Sequence, residues 1–218
     1  MGKLEALKQY VEQNREAAIK HCAETFRFDQ YTDSDLFYRA VFCLLVPAGN
    51  AKRAEECLKQ LQAIDYQNKP VDSISLYTML RPYIRFPEQK AIRLHSFKKM
   101  SRGFIAYLRK NYGSVDGAYL RQALVQRVSG MGLKAASHFL RNMGVTDLAI
   151  IDTHILKYRV CFMPQYEQQC LPTSPANYLK LEEHFRVWAH ETFNLTVAQA
   201  DWLIWCFESG NAVTDLNY

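Results

Sequence analysis

The chain has 218 residues, enough to bury a core as one large domain or as two small ones. Nearly half of it (49%) is hydrophobic and 22% is charged, ordinary values for a globular protein, and no apolar run approaches the ~20 residues of a membrane span. Net charge is only +5 but uneven: nine Lys or Arg and a single acid, Glu88, lie between Arg81 and Lys110, whereas six acids and one base, Arg186, follow from Glu182 onward. A solvated helix face explains many such runs, yet concentrated positive charge also suits a polyanionic partner. The start, MGKLEALKQYVEQ, is charged rather than signal-like, and Ala6 stands where a myristoylation motif needs Ser or Thr. A cytoplasmic protein, nucleoid-associated if prokaryotic, is expected, with no membrane partner.

The periodicity predicts helices almost throughout. LEALKQYVEQNREAAIKHCAE repeats apolar residues at three- and four-residue steps, the pattern of an amphipathic helix. DSDLFYRAVFCLLV is acidic at its start and nearly all apolar afterwards, which marks a buried central helix ending at Pro47, Gly49 and Asn50. AKRAEECLKQLQAI and the short SISLYTML follow, then a long helix that opens on a first-turn proline, PEQKAIRLHSFKKMSRGFIAYLRK. After the turn-rich NYGSVDG come AYLRQALVQRV and LKAASHFLRNM, joined through Ser129–Gly132. THILKYRVCF follows Asp152, and CLPTSPANY is the one Pro/Ser-containing linker. NYLKLEEHFRVWAHETF and TVAQADWLIWCFES close the sequence, the last with Gly210 as its C-terminal cap. Neither strand-like alternation nor an internal repeat stands out, so an all-α fold is expected.

The six cysteines, Cys22, Cys43, Cys57, Cys161, Cys170 and Cys206, form no CxxC pair and no four-cysteine cluster run. Several fall inside apolar helical patterns, where a free thiol behaves as a small hydrophobe. A zinc or iron–sulfur cluster site is therefore not expected.

The chemistry-bearing stretch is VSGMGLKAASHFLRNMG. Its Gly-x-Gly lets the backbone take positive φ or come close to a ligand, and placed before a helix it aims free N–H groups at an anion. A plain structural corner uses the same glycines. Lys134 sits in the first turn of the helix that follows, where the macrodipole is unfavourable to a cation. That position is poor for stability and suited to a nucleophilic amine. Eighteen residues later Asp152 closes the apolar run LAII and opens a helix. There it serves as an N-cap, worth about 1 kcal/mol, and is also held where it can face developing positive charge.

The pairing SGMGLKAASHFLRNMG…LAIIDTHIL resembles the helix-hairpin-helix DNA glycosylase superfamily, in which this hairpin is followed by a catalytic Lys and, about 18 residues on, an Asp. Within it, the small archaeal and bacterial 8-oxoguanine DNA glycosylase/AP lyases are most similar, through FCLLVPAGNAKRA, YIRFPEQKA, KAASHFLRN, LAIIDTHIL and ADWLIWCFESG, in that order. The resemblance implies two helical subdomains with the active-site cleft between them. One, a central helical barrel over about 36–145, ends in the helix-hairpin-helix; the other comprises about 1–35 and 146–218. It implies base excision from damaged double-stranded DNA with neither metal nor organic cofactor; a monomer is expected because nothing in the sequence resembles a dimerisation seam. Lys134 would be the nucleophile and Asp152 the stabiliser of sugar charge. Gly130, Met131 and Gly132 would hold the DNA backbone by main-chain N–H groups, with His154, Asn50 and Lys52 as further DNA contacts. Trp205, Trp202 and Phe86 would form the base pocket.

Two departures bear on specificity. Relatives place an Asn or Gln wedge where LLVPAGN has Ala48, with Asn50 nearby as a substitute. Archaeal members also end on a lysine that helps to recognise 8-oxoguanine, whereas SGNAVTDLNY has none. Two other readings therefore stay open. One is an endonuclease III-like enzyme for oxidised pyrimidines, although that group's C-terminal cysteine cluster is absent. The other is a non-catalytic helix-hairpin-helix module, which needs neither Lys134 nor Asp152.

Overall fold

The computed structural model describes residues 2–164 and 172–214; Cys170 and the last four residues lie outside the described set. Every regular element among the described residues is helical. Eleven α-helices run in chain order: α1 (Gly2–Thr25), α2 (Asp33–Leu45), α3 (Ala51–Ala63), α4 (Ser73–Leu80), α5 (Pro87–Asn111), α6 (Gly117–Arg127), α7 (Leu133–Arg141), α8 (Thr153–Leu156), α9 (Arg159–Phe162), α10 (Pro175–Phe193) and α11 (Val197–Ser209). No described helix is long and apolar enough to cross a membrane.

Contacts divide the chain into two compact units, one of Met1–Phe28 with Leu140–Tyr218 and one of Asp29–Phe139. The Asp29–Phe139 unit is built around α2. Thr32 and Asp35 close a capping box at its start, and from Leu36 to Leu45 nearly every residue is buried, as the apolar run predicts. α5 packs across α2 and α4, with Phe37 stacked on Phe97 at 5.5 Å and Phe97 edge-on to Phe104 at 5.3 Å. Phe104 in turn meets Phe139 of α7 at 5.7 Å. The neighbouring helices begin on side-chain caps: Asn50 for α3, Asp72 for α4 and Asp116 for α6.

In the other unit α11 lies between α1, α8 and α10. It is apolar on nearly every side, which is the pattern of an enclosed helix. It starts on a Thr196–Gln199 capping box and ends at Gly210, whose φ of 71° is the left-handed cap the sequence predicts. Phe162, Phe185, Trp188 and Phe193 form an aromatic cluster with centroids 5.0–5.9 Å apart. Asp201 of α11 meets Arg141 at 2.7 Å, both buried; a paired buried charge of this kind is strongly destabilising when one partner is removed. The stretch THILKYRVCF forms two four-residue helices, α8 and α9, interrupted at Lys157–Tyr158.

Candidate active site

The hairpin is α6, the turn Val128–Gly132, and α7. Arg121 of α6 donates to the Ser137 hydroxyl of α7 at 3.0 Å, both buried, which fixes the two helices against each other. The turn closes on itself: the Met131 N–H donates to the Val128 carbonyl at 3.0 Å, and the Met131 side chain is 1% exposed. Met131 is therefore an anchor of the turn. Its N–H is committed to that carbonyl within the turn. Gly130 takes φ = 87°, which only glycine adopts readily. The Ala136 N–H donates to the Gly132 carbonyl, so the helix begins at Gly132 and its first N–H groups lack helical acceptors. Lys134 follows in that first turn, exposed, with no hydrogen bond or ion pair among the described residues.

Asp152 is placed by the extended run before it. Leu148, Ala149, Ile150 and Ile151 are all buried, and the backbone between them is tied to α10. Ala149 N–H donates to Glu182 Oε1 at 2.9 Å, the Tyr178 hydroxyl donates to the Ala149 carbonyl at 2.8 Å, and Ile151 N–H donates to that hydroxyl at 3.2 Å. Asp152 then caps α8, Oδ1 accepting the N–H groups of His154 at 2.8 Å and Ile155 at 3.1 Å. The cap predicted from sequence is present, and it leaves Oδ2 with no hydrogen-bond partner among the described residues. His154 is half-buried, and its Nδ1 is buried without a hydrogen-bond partner. Nothing in the sequence signals the roles of Tyr178 and Glu182, because both fall on what reads as an ordinary amphipathic helix.

The other candidates separate. Asn50 is exposed and caps α3, accepting the Arg53 N–H at 3.2 Å, and Lys52 is exposed beside it. Ala48 holds a left-handed φ of 58° in the same loop. Lys90, one turn into α5, is 2% exposed and donates to the carbonyls of Leu45 and, at 2.7 Å, Pro47, so it braces that loop. Phe86 is 49% exposed at φ = 59°, with the Arg85 guanidinium 5.0 Å from its ring centroid. Backbone held in this region costs about 1–3 kcal/mol, and such strain clusters at ligand clamps and active sites. Trp205 is partly exposed and stacks on Trp202 at 5.5 Å. Trp202 lies deeper. It is 3% exposed, covered on its other face by His21 at 5.1 Å, and its indole donates to the Val213 carbonyl at 3.1 Å. It is a core residue with no open face for a base.

The basic stretch is not one surface either. Lys98, in the middle of that run, donates to the Lys69 carbonyl and lies over the Tyr66 ring; burial lowers its pKa. Arg109 is tied to Asp33 and the Tyr31 carbonyl. Among the described residues no group of three His, Cys, Asp or Glu is placed to hold a metal ion.

Comparison with known proteins agrees with this geometry. The sequence model of 8-oxoguanine DNA glycosylase matches residues 19–194. A relative from Metallosphaera sedula, an 8-oxoguanine DNA glycosylase/AP lyase, is 32% identical over 197 residues, covering 89% of this chain and 92% of its own. The crystal structure of the Thermotoga maritima 8-oxoguanine DNA glycosylase superposes with a TM-score of 0.80 at 27% identity, covering 96% and 97%. The same fold is found in the Methanocaldococcus jannaschii 8-oxoguanine glycosylase/lyase bound to a 15-mer DNA containing 8-oxoguanine (TM-score 0.77, 24% identity, covering 94% and 98%). An all-α fold with a glycine hairpin, a lysine in the first turn after it and a capping aspartate 18 residues on thus accompanies a match over most of the chain: the protein belongs to the 8-oxoguanine DNA glycosylase family.

Proposed function

We propose that this protein excises 8-oxoguanine from duplex DNA and then nicks the strand at the resulting site, as a bifunctional glycosylase/AP lyase. The observation that carries the reading is the pair Lys134 and Asp152, one free in the first turn of α7, the other fixed as the cap of α8. A module that only grips duplexes has no use for either.

In this reading the damaged nucleotide leaves the stack and enters a protein pocket. The neutral Lys134 amine attacks C1′ as the C1′–N9 bond breaks, and the base departs with the bonding electrons and takes up a proton. Asp152 stabilises the positive charge that develops on the sugar, with its carboxylate oriented by two backbone N–H groups. Loss of a proton from nitrogen and opening of the sugar ring give a Schiff base. Removal of a C2′ proton then expels the 3′ phosphate and leaves a nick. No step requires a cofactor.

The Asp29–Phe139 unit is then the helical barrel that ends in the hairpin, and the other unit is the subdomain that supplies Asp152. Unpartnered N–H groups at Gly132 and the start of α7 serve the phosphate backbone, with Asn50, Lys52 and His154 as outer contacts. Trp205 is the stacking face for the base. The enzyme works as a monomer on nucleoid or cytoplasmic DNA.

Borohydride trapping tests this directly. Duplexes carrying 8-oxoguanine, thymine glycol or an abasic site are incubated with the protein and reductant, and a covalent adduct is sought. Adduct is expected with 8-oxoguanine and the abasic site, and is expected to vanish in Lys134→Gln. Adduct that persists in Lys134→Gln removes the nucleophile from the scheme. Adduct with thymine glycol in preference to 8-oxoguanine assigns the enzyme to oxidised pyrimidines.

A further inference from the structure

Of the nine cations between Arg81 and Lys110, three are bound within the protein: Lys90 to the Leu45 and Pro47 carbonyls, Lys98 to Lys69, and Arg109 to Asp33. Arg93 is placed differently. Half-buried on α5, it lies across the hairpin turn so closely that a Cβ on Gly130 would stand 2.4 Å from its Cδ and 2.8 Å from its Nε. Glycine is thus required there twice over, by its φ and by this side chain. The Arg93 guanidinium makes no hydrogen bond or ion pair among the described residues. Its electrostatic neighbour is Lys90, a second cation, which its charge disfavours. Two adjacent cations with no carboxylate between them repel, and an incoming anion relieves that repulsion. Beside them the unaccepted N–H groups at the start of α7 favour the same anion.

We propose that Arg93 is the side-chain ligand of the DNA phosphate that the hairpin backbone holds. The proposal rests on the reading of this protein as a duplex-binding glycosylase. The Arg93 stem is held in place by its contact with Gly130, so its planar fork can meet two phosphate oxygens with little further ordering. The main-chain N–H groups supply partial charges and Arg93 the one full charge. The Gly-x-Gly turn therefore serves two purposes: its conformation frees the helix start, and its bare Cα at Gly130 admits the arginine.

The test is binding to a duplex carrying a tetrahydrofuran abasic-site analogue, which the enzyme cannot cut, across ~50–200 mM salt. Wild type, Arg93→Met and Arg93→Lys are compared. Arg93→Met is expected to bind about tenfold more weakly at ~0.1 M salt, with the slope of log K against log salt shallower by about one. Arg93→Lys keeps the charge and loses the fork, so it is expected to retain the wild-type slope while binding more weakly. An unchanged slope in Arg93→Met overturns the proposal. So does a slope reduced equally in both variants, since packing rather than charge would then be what was lost. If wild type shows borohydride adduct and salt-dependent binding but Arg93→Met matches it, only the Arg93 assignment fails. If wild type shows neither, the glycosylase reading falls first.

Discussion

Lys90 and Pro47 are joined by a hydrogen bond of 2.7 Å from a buried ammonium to a backbone carbonyl, with the Leu45 carbonyl as its second acceptor. No carboxylate shares the site. Burial, with a smaller contribution from Arg93, pushes the Lys90 ammonium down to about 8, against a weak opposing effect of Cys57. The folded pKa lies below the unfolded value, so the folded protein releases this proton first as pH rises. The penalty for a buried charge is complete below pH 8 and is relieved between about 8 and 10.5. Stability of wild type relative to Lys90→Met is expected to climb by up to about 3 kcal/mol across that window, measured by denaturant unfolding at each pH. A constant difference would show that this amine titrates like an exposed one.

Tyr178→Phe removes the hydroxyl that bridges Ala149 and Ile151 and leaves two buried backbone groups without it. A loss of about 1–3 kcal/mol in stability is expected. Single-turnover base excision should fall more than duplex binding, because the run that carries Asp152 loosens while the hairpin is untouched. Equal losses in both would mean that Tyr178 supports the fold alone.

Glu208 is 4% exposed at its side chain yet is held well below the usual carboxylate range, to about 2. Desolvation raises it, and hydrogen bonds from Lys157, Tyr158 and Lys3 together outweigh that effect. Its contribution is present above pH 4.5 and is lost as pH falls from there towards 2. Both lysines are partly exposed, so solvent screening reduces the net to about 2 kcal/mol. Glu208→Gln is expected to lower the melting temperature at pH 7 and to converge on wild type as pH falls to about 2. Parallel acid-unfolding curves would contradict it.

Phe86 holds left-handed backbone while about half its surface stays in solvent. Phe86→Gly relieves that conformation at little packing cost and is expected to stabilise the protein by up to about 1 kcal/mol. Binding and excision of an 8-oxoguanine duplex are expected to drop at the same time. A variant that gains stability and keeps full activity would make the turn a packing accident.

The helices were legible in the sequence because periodic apolar runs mark them, and the acidic start of α2, Asp152 ahead of α8 and Gly210 after α11 stand where the sequence puts helix ends. Lys134 and Asp152 were legible through their separation along the chain, which family likeness then interpreted. What escaped was every property decided by a distant neighbour. Lys90 and Lys98 look alike as letters in a basic run, and only the carbonyls of Pro47 and Lys69 distinguish them from a surface charge. Trp202 and Trp205 stand three residues apart on one helix, and the cover supplied by His21 and Val213 makes one of them core. Nothing in GMG hints that an arginine 37 positions earlier would rest on its first glycine.

The hairpin turn satisfies itself: Met131 is anchored in the interior, its N–H is answered by Val128, and Arg121 locks the two flanking helices through Ser137. A loop that assembles only around its target loses affinity to the freezing of its own backbone. Here the donors at the head of α7 are held in place by contacts within the protein. Contact with the sugar–phosphate chain therefore asks for little rearrangement, and an enzyme so prepared can sample long stretches of intact duplex through brief, rigid encounters.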